Sequence, residues 1–213
     1  MPNSMSTVIS INIGQPQAVD FLGHEVSTGI YKSPVEGPVR AEGVNLVGDD
    51  QADRRVHGGV NKAVYAYAAE DYEWWSEQLG RSLAPGTFGE NLTTDGLDVS
   101  AAVVGQRWRI GDALFEVSEP RMPCYRLGIR MDDPEFPDIF ARADRPGTYL
   151  RIIEEGSLAA GDLVEVGPPP GHGLTIGDVA RIYHRDRHQA HRLLEADELS
   201  DGWRRWVRRV AQI

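Results

Sequence analysis

The stretch Arg107-Trp108-Arg109-Ile110-Gly111-Asp112-Ala113-Leu114-Phe115-Glu116-Val117-Ser118 reads as two short strands joined by a two-residue connection. Gly111-Asp112 suits a hairpin turn, and the second strand alternates apolar and polar residues around Leu114, Phe115 and Val117. Similar strand-like segments recur at residues 7–13, 63–67, 148–153 and 162–166, with Gly and Pro in the gaps. Residues 156–161 read as a second tight loop. This pattern predicts a largely antiparallel sheet or a closed β-barrel, mainly β with some α. One clear helix interrupts it at residues 69–79, with Tyr72, Trp75 and Leu79 on one face as core residues and Gly80 as the stop. A second short helix fits residues 134–142.

The run Gly167-Pro168-Pro169-Pro170-Gly171-His172-Gly173 can continue neither a strand nor a helix, and it reads as a linker. The expected division is a β-barrel domain over residues 1–167, a linker over 168–174 and a three-helix extension over 175–213. Thr175 with Asp178 gives a capping-box start ahead of Ile176, Val179 and Ile182. Further helical segments are expected at residues 189–195 and 203–210. From Thr175 onward there are eight basic and six acidic residues, so the earlier part carries −12 of the net −10.

That net charge opposes general nucleic-acid binding, because a phosphate backbone would be repelled. The tail could match a DNA-reading module in size, but it has no dominant basic stripe. No apolar run approaches a membrane span, and the strand-like start lacks the basic region of a signal peptide. The expectation is a soluble, cytoplasmic protein acting on small molecules. A single cysteine in 213 residues excludes an intrachain disulfide, a four-cysteine zinc site and a cysteine-ligated iron–sulfur cluster.

That cysteine closes the run Glu119-Pro120-Arg121-Met122-Pro123-Cys124, just past the second strand of the hairpin. Pro123 fits a first helical turn, which would set Cys124 near a helix N-terminus, where the helix dipole and Arg121 favour a thiolate. The competing reading is a buried, inert cysteine. In Asp53-Arg54-Arg55-Val56-His57-Gly58-Gly59-Val60-Asn61-Lys62, two glycines allow close backbone approach. Arg54, Arg55 and Lys62 supply anion-binding charge there, against an ordinary Gly-Gly turn. In Phe88-Gly89-Glu90-Asn91-Leu92-Thr93, Asn91 offers donors and acceptors for a heterocycle, against a structural turn asparagine. His184, His188 and His191 have helical spacing, but no Glu follows the first histidine and arginines surround them, which argues against a metal. No dinucleotide fingerprint, P-loop or Gly-x-Ser-x-Gly elbow occurs.

Taken in order, His57-Gly58-Gly59 with Lys62, then Phe88-Gly89-Glu90-Asn91-Leu92, then Pro120-Arg121-Met122-Pro123-Cys124 resemble the MOSC family, named for the C-terminal domain of molybdenum cofactor sulfurases. The resemblance covers residues 32–166, and the tail is similar to the helical extension of YiiM-type members. It implies a β-barrel-like fold and a molybdopterin-type molybdenum cofactor, with Cys124 as metal ligand or sulfur carrier; pyridoxal phosphate is not expected. A molybdenum centre suits a soft thiolate. Arg54, Lys62 and Arg121 suit the pterin phosphate, and His57 and Asn91 its heterocycle.

The expected activity is reduction of N-hydroxylated compounds such as hydroxylaminopurines and hydroxylamines. One alternative is a cofactor carrier or sulfur-transfer module holding a persulfide on Cys124, and another a Cys124/His57 hydrolase. With no cysteine left for a cluster and no dinucleotide fingerprint, a reductase would need a separate electron-donor partner. The arginines Arg204, Arg205, Arg208 and Arg209 of the tail are a candidate docking surface for it, against a solvated helical cap.

Overall fold

The computed structural model describes residues 5–52 and 58–211. The chain opens with strand β1 (Thr7–Ile13), a hairpin of β2 (Gln17–Phe21) and β3 (His24–Thr28), and the short strands β4 (Ser33–Pro34), β5 (Val39–Glu42) and β6 (Asn45–Leu46). A 3-10 turn (Val60–Lys62) leads into β7 (Val64–Ala68), helix α1 (Ala69–Leu79) and β8 (Leu92–Asp95). Then come β9 (Arg107–Ile110), β10 (Ala113–Pro120), α2 (Tyr125–Met131), α3 (Phe136–Arg142), β11 (Thr148–Glu154), β12 (Gly156–Leu158) and β13 (Val164–Val166). The tail holds α4 (Ile176–His184), a 3-10 segment (Arg187–Glu195) and α5 (Asp201–Ala211).

The β9–β10 hairpin forms as the sequence predicts, with Ala113 opposite Ile110 and Phe115 opposite Trp108. Trp108, Ile110, Phe115 and Val117 are all fully buried. Each such side chain contributes roughly 1.5–3 kcal/mol of transfer free energy, which fixes which face of the hairpin turns inward. The sheet runs β13-β9-β10-β11-β7-β8-β1-β4 and is antiparallel except for β7 and β8, which run parallel across the α1 crossover. No ladder closes it into a barrel among the described residues. Instead the sheet curls until its two ends touch: Val8 N donates to Asp162 O (2.9 Å), Val164 N to Ser6 O (2.8 Å), and Thr7 bridges Leu163.

Two segments differ from their expected form. Residues 156–161 contain strand β12, which pairs with β5 rather than serving only as a loop. The β2–β3 hairpin is not legible as strands because its side chains are mostly exposed and show no buried face. Its turn residues Leu22 (φ 55°) and Gly23 (φ 80°) both take the left-handed backbone that a two-residue hairpin loop needs.

Helix α1 ends at Gly80 (φ 62°), and its Tyr72 and Trp75 are buried, as the periodicity predicts. They join Tyr65, Tyr67, Phe88, Phe136 and Phe140 in an aromatic cluster, where Trp75 and Phe140 stack at 5.7 Å. In the tail, the Thr175–Asp178 capping box is present on both arms, with bonds of 3.0 and 3.2 Å. Ile176, Val179 and Ile182 join the same apolar cluster as Phe115 and Trp108 of the sheet. The middle helical segment of the tail is 3-10 rather than α. His188 and His191 lie on it, so the common helical face that their spacing with His184 suggests does not form.

Candidate functional site

Strand β10 leads into the loop that bears Cys124. After Pro120 the chain leaves the sheet, and Arg121, Met122 and Pro123 lead to Cys124, the extended residue (φ −138°, ψ 173°) that caps the N-terminus of α2. Pro123 therefore precedes the cap instead of occupying the first helical turn. Cys124 is half-buried, and its carbonyl accepts from Leu127 N at 2.8 Å. Cys124 lines a cleft together with Lys32, Gln51, Met122 and Arg126.

Arg121 lines the same cleft and is 6% exposed. Its guanidinium lies 5.7 Å from the Tyr65 ring centre and 5.2 Å from that of Phe140. Aromatic faces flank the cation and Tyr149 shares a hydrogen bond with it, while Nη1 is buried with no hydrogen-bond partner among the described residues. A buried, unfilled donor of a permanently charged group is costly unless a ligand acceptor meets it. Tyr149 also lines the cleft; burial pushes its phenol up to about 12, with Arg121 acting in the opposite direction.

Lys32 is a second buried cation in the cleft wall, 7% exposed. Its ammonium is paired with Asp49, itself 6% exposed, whose carboxylate also accepts from Gly14 N (2.8 Å) and Asn91 Nδ2 (2.9 Å). Burial lowers the Lys32 pKa, and Asp49 opposes that shift. Glu90, fully buried, accepts through Oε1 from Tyr72 Oη (2.7 Å), Gly86 N (2.6 Å) and Thr93 Oγ1 (2.9 Å), while Oε2 has no partner among the described residues. Burial raises its pKa, so desolvation favours the neutral acid there.

Of the residues singled out in the sequence, Cys124, Arg121 and Asn91 meet in this cleft. Asn91 is 2% exposed, and both donor functions of its amide are committed, to Asn12 O (3.2 Å) and to Asp49, while Oδ1 accepts from Tyr65 N (3.1 Å). What it provides to the cleft is the placement of Asp49, and through Asp49 of Lys32, rather than a free amide. Gly89 (φ 78°) lets its turn press against Ile30 in the cleft wall, since a Cβ there would stand 2.9 Å from Ile30 Cγ1.

Lys62 lies elsewhere, in a second cleft with Gly58 and Gly59. Its ammonium is 3.4 Å from Glu119 Oε1 and 5.9 Å from the centre of the Tyr149 ring. Met122 lines both clefts, so the Arg121–Met122 segment stands between them. Arg54 and His57 fall outside the described residues. Sequence reasoning missed Lys32, Asp49 and Tyr149. A lysine in Tyr31-Lys32-Ser33-Pro34 carries no local mark of burial, because its partner is 17 positions away.

Comparison with known proteins gives a match to the MOSC domain over residues 53–165. The chain is 35% identical to YflK of Bacillus subtilis over 96% of its own length and 94% of that protein. It is also 35% identical to YiiM of Escherichia coli, over 85% and 84% of the two chains. A Gibberella moniliformis protein named Reductase is 30% identical over 84% of this chain, which spans 32% of that protein. Among solved structures, YiiM from Geobacillus stearothermophilus superposes with a TM-score of 0.80 at 28% identity, covering 96% and 98% of the two chains.

Proposed function

Because the chain belongs to the MOSC domain family, as a YiiM-type member, we propose that its Cys124 cleft holds a molybdopterin-type molybdenum cofactor and reduces N-hydroxylated compounds. MOSC domains are associated with the molybdenum cofactor, and one relative carries the name Reductase. The substrate class proposed is hydroxylaminopurine-type base analogues and hydroxylamines. The observation that carries the reading is the buried Nη1 of Arg121, without a hydrogen-bond partner among the described residues, in the cleft that Cys124 also lines.

The donor set fits such a group. A thiolate is the soft ligand that molybdenum takes, and Cys124 supplies it at the cleft surface. Arg121 places a positive charge in the wall, suited to a phosphate or another anionic part of the cofactor, while the charge of Lys32 beside it is balanced by Asp49. Asp49 and Asn91 hold Lys32 in position, and the aromatic faces of Tyr65 and Phe140 hold Arg121. When bound, the metal and pterin supply the two-electron redox chemistry, while the chain binds, orients and screens. The net reaction converts R–NH–OH, two electrons and two protons into R–NH2 and water, with cleavage of the N–O bond.

The electrons come from outside the chain in this reading. Its one cysteine is assigned to the metal, and its sequence shows no dinucleotide fingerprint. The fungal protein named Reductase is about three times as long as the segment it shares with this chain, which leaves room there for a donor module. We therefore propose a separate reductase as electron donor. The test is anaerobic turnover of 6-hydroxylaminopurine with reduced methyl viologen, using protein from a host that makes the cofactor. Formation of adenine by the wild type and its loss in Cys124→Ser support the reading. No adenine from molybdenum-loaded wild type rejects it.

A further inference from the structure

We infer that the exposed face of α5 carrying Arg205, Arg208 and Arg209 is the docking surface for an acidic electron-donor protein; this rests on the reductase reading above. The three arginines stand at i, i+3 and i+4 of one helix and therefore share one face. All three are exposed, and none forms an ion pair among the described residues. Arg204, on the neighbouring face, pairs with Asp197 at 2.9 Å and is not part of the patch. The chain has ten more carboxylate than basic side chains, so the molecule as a whole is acidic. Three unpaired guanidinium groups on one face leave a local positive field on an otherwise negative molecule, the complementarity that speeds encounter with an acidic protein.

The position of this helix links the patch to the chemistry. Arg205 lines the second cleft with Trp206 and Met122, and Met122 also lines the cleft that holds Cys124. The N-terminal end of α5 is fastened to the end of β10, where Ser200 Oγ donates to Glu119 Oε2 at 2.8 Å. Glu119 immediately precedes the Pro120-to-Cys124 run. On its inner side the helix buries Trp203 and Val207 in the main apolar cluster, so its orientation is set by the core and the arginine face is held outward. A donor seated on this face lies against the loop that bears the proposed metal ligand, and its two electrons enter the balance given above.

The experiment uses full-length, molybdenum-loaded protein and the triple variant Arg205→Glu/Arg208→Glu/Arg209→Glu, with a reduced flavodoxin-type protein of acidic surface as the probe. Binding of the probe is measured directly, and turnover is measured with the probe and with reduced methyl viologen, across a salt series. The expected result is a fall of about tenfold or more in probe affinity and probe-driven kcat/KM at low salt, with the salt dependence flattened and viologen turnover unchanged. Equal probe binding and an equal salt slope in the two proteins overturn the proposal. So does salt-dependent binding of an RNA or DNA oligonucleotide by this face where the acidic protein does not bind. If neither protein turns over substrate with viologen, the reductase reading fails, while probe binding still decides the docking surface.

Discussion

Replacing Asp49 with alanine leaves the Lys32 ammonium buried without its partner. In the wild type the two side chains are 5% and 0% exposed, and Asp49 also takes bonds from Gly14 N and Asn91 Nδ2. Removing one member of such a pair costs about 3–5 kcal/mol, because the other charge stays desolvated. For a chain of this size that corresponds to a fall in Tm of roughly 6–20 °C. Lysine escapes part of this cost by losing its proton, and the direction follows from linkage. Burial already lowers the folded pKa of Lys32, and without Asp49 nothing opposes that shift as strongly. Between the lowered folded value and the ordinary lysine value of ~10.4, the unfolded chain binds more protons, so stability rises with pH. The Asp49→Ala defect is therefore expected to shrink as pH is raised within that window. Urea unfolding at several pH values measures it, and a Lys32→Met background removes the buried charge altogether. In that background Asp49→Ala should cost markedly less. A loss below about 1 kcal/mol in the wild-type background, or the same loss with Lys32→Met, would show that the stranded Lys32 charge is not the source of the defect.

Cys124→Ser is expected to abolish reductase turnover, since a hydroxyl is a harder and far less acidic ligand than a thiol; near wild-type turnover with molybdenum content intact would remove the ligand role. Cyanide treatment separates the sulfur-carrier alternative: stoichiometric thiocyanate lost only with Cys124 would favour a persulfide. Gly89→Ala places a side chain at φ 78° and 2.9 Å from Ile30 Cγ1, so a loss of about 1–3 kcal/mol in urea unfolding is expected. Glu90 has a raised folded pKa, so its contribution is fully present below the ordinary glutamate value of ~4.3 and is lost as pH climbs toward the raised folded value. Glu90→Gln should flatten that part of the pH–stability profile, and an unchanged slope would show that Glu90 does not supply it.

The hairpin at Gly111-Asp112, helix α1 and the capping box at Thr175 were legible because each rests on local signals: turn chemistry, helical spacing and a three-residue cap. Cys124 and Arg121 were legible as a pair because they share one loop. The cleft's other wall was not, since Lys32, Asp49 and Asn91 are 17 and 42 positions apart and meet only through β1 and the loops around it. Asn91 illustrates the same limit: its amide has the right atoms for a heterocycle, yet tertiary contacts use both donor functions. Lys62 was grouped with Arg121 by charge, but the fold sets it on the far side of Met122, against Glu119. Barrel closure likewise depends on the sum of strand twists, and here only the strand ends touch.

Elemental analysis decides whether the Cys124 cleft holds a molybdenum cofactor. Protein purified from a host that makes the cofactor should carry close to one molybdenum per chain. Arg121→Met, which removes the unfilled donor while keeping an apolar stem between the Tyr65 and Phe140 rings, should lower that content in folded protein. Wild-type protein that is folded but carries no molybdenum above background, from a host shown to load another molybdoenzyme, would rule out the cofactor in this cleft.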